Sequence, residues 1–306
     1  MQNYIITHYY HSGFSVSCGD TILIFDYWLG EEGELTEDLQ LTPERLSAYD
    51  HIYVLISHDH IDHMDPVVFT WKDLPGIQYI VSSDMPVGTR GRRMAPGDTI
   101  RFSDTVSVTA FDSTDPGVSF LVDFRGLKVF HAGDLNFWHW RDESTLPEIE
   151  EADAEFRKAL RPLESHHVDV AFFPLDPRQG TMFEAGANFF ILDIKPRILI
   201  PMHYFHRAEI AMEYARTASC RTTEVVAMPL YGEELGLEMD EEGYLNLYHL
   251  PRSGEPAGEE ASESGAGSDS FLAEDDPFLE SDLPLTQLAE DAEEAGSEPD
   301  EPAPKP

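Results

Sequence analysis

The chain has 306 residues, 42% of them hydrophobic, and carries 58 acidic residues against 20 basic ones for a formal net charge of −38. A field of that sign repels phosphate backbones, which argues against nucleic acid or an anionic membrane surface as a partner. No run of about 18 apolar residues occurs, no basic leader precedes an apolar stretch, and two cysteines, Cys18 and Cys220, are too few for a disulfide framework, so the expectation is a cytoplasmic protein with free thiols.

Within residues 1–250 the elements follow from alternation and breakers. Strands are predicted over 4–9, 14–18 and 21–25, with turn signals at Gly13, Gly19 and Asp20. A polar acidic excursion (31–50) precedes an apolar strand over 52–56, and Asp65-Pro66 predicts a helix start, proline being tolerated at the first helical position. Further strands are predicted over 77–81, 99–102, 106–110, 118–124 and 127–131, the last two joined by a tight turn at Arg125-Gly126. Helix and strand then alternate: an amphipathic helix over 147–161, a strand over 168–173, a helix over 181–192, a strand over 197–200, a helix over 207–217, and strands over 224–228 and 235–238. Strand-rich first half and alternating second half together fit sheets sandwiched between helices, an α/β (α+β) architecture.

Composition changes at Pro251. From there to Pro306, 17 acidic residues face only Arg252 and Lys305, among Gly, Ser, Pro and Ala. Such a segment cannot bury enough apolar area to offset its chain entropy, so 251–306 reads as a disordered acidic tail. Its Phe271-Leu272 and Phe278-Leu279 pairs are candidate docking points for a protein partner; a merely solvated tail is the plainer reading.

The most informative run is Ser57-His58-Asp59-His60-Ile61-Asp62-His63, at the end of the strand over 52–56. Mixed imidazole and carboxylate donors suit borderline divalent cations. Alternation along a strand lets His58 and His60 reach one point, while Asp62 and His63, where the backbone turns away, aim at a second. Two later strand ends add donors: Asp134 in His131-Ala132-Gly133-Asp134, where the small pair leaves room for a bridging carboxylate, and His203 in Pro201-Met202-His203-Tyr204, a ligand for the second point. His11 and His131 adjoin site elements, but alternation turns neighbouring strand residues to opposite faces, so neither is assigned as a ligand.

The His-x-His-x-Asp-His run, the later Gly-Asp and the late Pro-Met-His-Tyr, in this order and spacing, resemble the metallo-β-lactamase superfamily, over residues 4 to about 248. The His11-Ser12-Gly13-Phe14 opening and the stretch from Phe172 to Tyr204 are similar to its compact branch, which includes L-ascorbate-6-phosphate lactonase and related metal-dependent hydrolases. The resemblance implies a four-layer αββα sandwich with a mono- or dinuclear site at the open edge of the two sheets. It also implies a hydrolase of a small molecule (a lactone, ester or phosphoester) in which a metal-held hydroxide attacks, Asp62 orients it, and Zn²⁺ is the expected ion. One departure stands out. Members usually place a histidine between the first motif and the Gly-Asp, and the corresponding stretch, Phe111 to Gly117, has none. Either Asp112 or Asp115 replaces it, which would favour Mn²⁺ or Fe²⁺, or the site built on His58 and His60 is one protein ligand short.

Asn136, Trp138, His139 and Trp140 follow Asp134 and are expected in the pocket wall, with Asn136 and His139 as candidate substrate contacts. Arg178 is a candidate contact for a substrate carboxylate or phosphate; its alternative is a salt bridge to Asp176. The rivals to a small-molecule hydrolase are a nuclease or phosphodiesterase, which the acidic surface disfavours, and a catalytically silent metal- or partner-binding scaffold recruiting through the tail. Redox diiron chemistry ranks below both, because relatives of that kind carry Glu where this chain has His60. Oligomeric state and substrate identity are not encoded in any motif.

Overall fold

Two mixed sheets packed face to face carry residues 1–31 and 34–251, the part of the chain that the computed structural model describes. The first sheet contains β1 (Gln2–His8), β2 (Phe14–Cys18), β3 (Thr21–Phe25), β4 (His51–Ile56), β5 (Ile77–Ser82) and β6 (Arg92–Met94). The second contains β7 (Thr99–Arg101), β8 (Val106–Phe111), β9 (Ser119–Phe124), β10 (Leu127–His131), β11 (Val170–Pro174), β12 (Ile198–Met202) and β13 (Glu224–Val225). The chain then returns to the first sheet as β14 (Glu234–Met239) and β15 (Leu245–His249), giving the orders β15-β14-β1-β2-β3-β4-β5-β6 and β13-β12-β11-β10-β9-β8-β7. In each sheet an antiparallel half meets a parallel one: β3 to β6 run parallel, as do β10 to β13.

Strand alternation sorts the core. On β3, β4 and β5 the residues Leu23, Phe25, Tyr53, Leu55 and Ile80 face the second sheet, while Ile22, Ile24, Ile52, Val54, Ile56, Tyr79 and Val81 form a separate cluster on the outer face. On β11, Phe172 stacks on Phe14 between the sheets at 4.3 Å, and its neighbour Phe173 turns outward to Phe190 at 4.5 Å. That outer face is covered by helices at Leu146–Leu160 and Ala185–Asp193, whose Phe156 and Phe190 reach it, and a helix at Ala208–Ala218 packs beside β13. The expected αββα sandwich is therefore what forms, with a thin layer over the first sheet: a single helical turn at Pro43–Leu46 and a 3₁₀ stretch at Pro66–Trp71, which bury Leu46, Val68 and Trp71.

Most predicted elements are present within a residue or two. The helix expected at Asp65-Pro66 is the 3₁₀ stretch: the Asp65 carboxylate accepts the Val67 N–H at 2.9 Å, but Pro75-Gly76 follows too soon for a longer run. β6 and β15 were not expected from the sequence; both are edge strands with few buried positions. No helix among the described residues is long and apolar enough to cross a membrane. Residues 252–306 lie outside the described residues, and with them the docking role expected of Phe271-Leu272 and Phe278-Leu279.

Candidate metal centre

The motifs gather where parallel strands end. His58 to His63 follow β4, Asp134 follows β10, Asp176 follows β11 and His203 follows β12, all at carboxyl ends, where sheets of this kind bind ligands. Strand alternation is not what aligns His58 with His60, since β4 stops at Ile56. A tight turn does, closed by hydrogen bonds from the His63 and Met64 N–H groups to the His60 carbonyl, both 3.1 Å. Two glycines clamp its root. A Cβ at Gly133 (φ 55°) would stand 2.7 Å from the Ser57 Cβ, and one at Gly117 (φ 105°) would stand 2.7 Å from the His58 Cβ and collide with the Ser57 carbonyl.

Asp26, in a left-handed conformation (φ 41°) just past β3, fixes this root from below. Its carboxylate accepts the Ser57 N–H at 2.8 Å, the Ser57 hydroxyl at 2.6 Å and the His63 Nδ1–H at 2.8 Å. Ser57 Oγ in turn lies 2.9 Å from His58 Nδ1, and the buried Asp176 carboxylate lies 3.0 Å from His203 Nδ1. With Nδ1 engaged in each ring, Nε2 of His58, His63 and His203 points to a common centre.

At that centre Asp134 spans two groups of donors. Its Oδ1 lies 2.9 Å from His63 Nε2 and 3.2 Å from His203 Nε2, and its Oδ2 lies 3.2 Å from His58 Nε2 and 3.9 Å from His60 Nδ1. His11, Asp62, His63 and His203 offer donor atoms within 4.8 Å of one another, and His58, His60 and Asp134 do the same. The chemistry of the set fits divalent ions. The Nε2 atoms of His11, His58, His63 and His203, together with Asp134 Oδ1, are buried and make no hydrogen bond of proper geometry. Unpartnered buried polar atoms are costly unless something absent from the polypeptide satisfies them, and a cation does so for every one of these.

The electrostatics are those of a cation cradle. Burial works against ionisation of Asp134, yet the imidazoles of His63 and His203 outweigh it and hold the carboxyl well below the usual range. Burial is likewise overcome at Asp62, by His11 and His63, and at Asp176, which His203 and Arg178 bring down to about 2. Asp115 shifts the other way: burial and the nearby Asp134 charge raise it. Above the donors lies a cavity of about 430 Å³ lined by His60, Asp62, Thr114, Asp115, Asp134, Trp138, Trp140 and Arg178.

All six expected ligands, His58, His60, Asp62, His63, Asp134 and His203, converge here. His11 joins them, against the expectation that alternation points it away. It lies in the turn between β1 and β2 at φ 55°, where alternation does not apply, and its Nε2 is 3.5 Å from Asp62 Oδ2. His131 does not join: its Nε2 lies 2.9 Å from the Ser12 carbonyl and its Nδ1 accepts the Gly133 N–H. Neither aspartate proposed to replace the missing histidine belongs to a donor group. Asp112 is exposed and accepts the Ser113 N–H, and Asp115 stands in the cavity wall. His139 is structural: buried, it lies 3.0 Å from the Met182 carbonyl through Nε2 and accepts the Arg141 N–H through Nδ1. Asn136 is also buried and accepts the Phe137 N–H, so neither lines the cavity; Trp138 and Trp140, stacked 6.1 Å apart, do. Arg178 lines it while its guanidinium grips Asp176, so the salt-bridge alternative is real and leaves the side chain half-exposed at the cavity. Asp26 was missed by sequence reasoning; the only signal was an acid at the end of an apolar strand.

A metal-dependent hydrolase of Natranaerobius thermophilus is 27% identical over 207 residues, covering 63% of this chain and 80% of that one. One of Pyrobaculum calidifontis is 26% identical over 209 residues, covering 63% and 81%. A metallo hydrolase structure from Ignicoccus hospitalis shares the fold, with a TM-score of 0.57 at 18% identity over 78% of this chain and 100% of its own. Residues 29–204, more than half of the chain, match the β-lactamase superfamily domain, and with both sheets and the donor-bearing strand ends in place the chain belongs to that superfamily.

Proposed function

We propose that the protein is a metal-dependent hydrolase of a small molecule, with a lactone, ester or phosphoester as the bond cleaved. The observation that carries this reading is the convergence of the buried, unpartnered Nε2 atoms of His58, His63 and His203 on the Asp134 carboxylate, with that of His11 beside Asp62, beneath a cavity. The similarity to relatives described as metal-dependent hydrolases points the same way. Imidazole-rich donors favour Zn²⁺, with Mn²⁺ or Fe²⁺ as the harder alternatives. Bound divalent ions would supply Lewis-acid polarisation of the scissile group and a water acidic enough to react near neutral pH.

The chain's own residues do the rest. Asp134 fixes the distance between the donor groups. Asp62, partly exposed at the cavity and held ionised by His11 and His63, orients the water by accepting its hydrogen bond on a carboxylate oxygen. Trp138 and Trp140 wall the cavity, and Arg178 brings it a guanidinium for an anionic substrate group. A nuclease reading gains nothing from a chain of net charge −38. The two unpaired cysteines support a reducing, cytoplasmic setting. The test is turnover across an ester, lactone and phosphodiester panel before and after chelation, and in Asp62→Ala. Loss of about 10²-fold or more is expected in both; undiminished hydrolysis in either would sink the proposal.

A further inference from the structure

The two donor groups are unequal, and we infer that the ion held by His11, Asp62, His63 and His203 is the resident one, whereas the ion held by His58, His60 and Asp134 binds second and exchanges freely. The inference rests on the metal-dependent reading above and adds an order of occupancy to it. The first group offers three nitrogens and a carboxylate, and Asp134 lends it Oδ1 as well, 2.9 Å from His63 Nε2 and 3.2 Å from His203 Nε2. The second offers two nitrogens and one carboxylate.

Preorganisation follows the same division. His63 and His203 are each oriented by a buried carboxylate, Asp26 and Asp176. His58 has only the Ser57 hydroxyl, and the His60 side chain is 47% exposed. His11 is the decisive residue. It lies ahead of the segment matched to the superfamily domain, is 2% exposed, and has neither ring nitrogen hydrogen-bonded. Its backbone is left-handed at φ 55°, as is that of His203 at φ 68°, and the two are tied by a hydrogen bond from the His203 N–H to the His11 carbonyl at 3.3 Å. Two neighbouring strained residues that both aim unpartnered imidazoles at one point are the signature of a geometry kept for a ligand. An ion there gains the whole preformed set; an ion at the second group must order His60 from solvent.

The full chain, stripped by a chelator, should be titrated with Zn²⁺ alone by calorimetry and native mass spectrometry. Two steps separated by at least about tenfold in affinity are expected. His11→Asn, chosen because Asn tolerates the left-handed region, should weaken the tighter step by at least about 10-fold to 100-fold, the cost typical of losing even an outer-shell partner. His60→Ala, at an exposed position, should abolish the weaker step and leave the tighter one unchanged; it decides the matter if His11→Asn does not fold. Two equal steps with hydrolysis intact, or a tighter step that vanishes with His60, would overturn the order while leaving the hydrolase reading in place. Uptake of no ion would overturn both.

Discussion

Asp26 touches both donor groups at once, directly through His63 and, by way of Ser57, through His58. Asp26→Asn preserves size but replaces an acceptor oxygen with an amide that cannot take the Nδ1 proton. Metal affinity is expected to fall about 10-fold to 100-fold with the circular dichroism spectrum unchanged; an unaltered affinity would mean that ring orientation is set elsewhere. A second buried imidazole makes a pH prediction. Burial pushes His8 down to about 4, while its Nδ1 lies 2.9 Å from the Met228 carbonyl. Its folded value lies below the unfolded one of about 6.5, so the stability it contributes is complete above that pH and is lost as pH falls toward 4, by about 3 kcal/mol in all. Melting temperatures of the wild type and His8→Asn, measured in the metal-free state from pH 7 to 4, should converge on acidification. Parallel curves would show that His8 is not the titrating group.

The turn after β4 depends on two glycines that offer no donor of their own. Gly117 and Gly133 let two other segments close on Ser57, and that contact sets where His58 points. Gly117→Ala should cost more than about 1 kcal/mol, because both its φ and the space are incompatible with a side chain. Gly88→Ala, at φ 97° with nothing within 4 Å, carries the backbone strain alone and should cost less; equal losses in chemical denaturation would discount the steric contact. The strands also mark how far the sequence could be read. β2, β3 and β10 were legible to the residue because their buried runs end at turn-forming pairs. β6, with two exposed arginines, and β15, exposed along most of its length, lack the hydrophobic pattern because each is an edge with one neighbour. The convergence of the six motif donors was legible because residue type and spacing carry metal chemistry. His11 was not, since its direction comes from a left-handed turn rather than from alternation, and Asp26 was not, since its partners are distant in sequence.

The described residues form two sheets whose facing edge is crossed by the donors: His11 and His58 to His63 leave the first sheet, Asp134 and His203 the second. Removing metal should therefore lower global stability. Free ion at about 100 times its dissociation constant contributes about 2.7 kcal/mol, so chelation should lower the melting temperature of the wild type and do so less in His11→Asn. A net charge of −38 repels anionic substrates at long range, and added salt should raise their rate of capture. The cross-sheet placement of the ligands also has a kinetic meaning. Because no donor group is complete until the sheets have docked, early folding species hold an ion only through partial donor sets, and the ion acts chiefly on the native state. In a chevron plot, Zn²⁺ should slow the unfolding arm and leave the refolding arm where it was, so that the ion sets how long the folded protein lasts and not how quickly it is made.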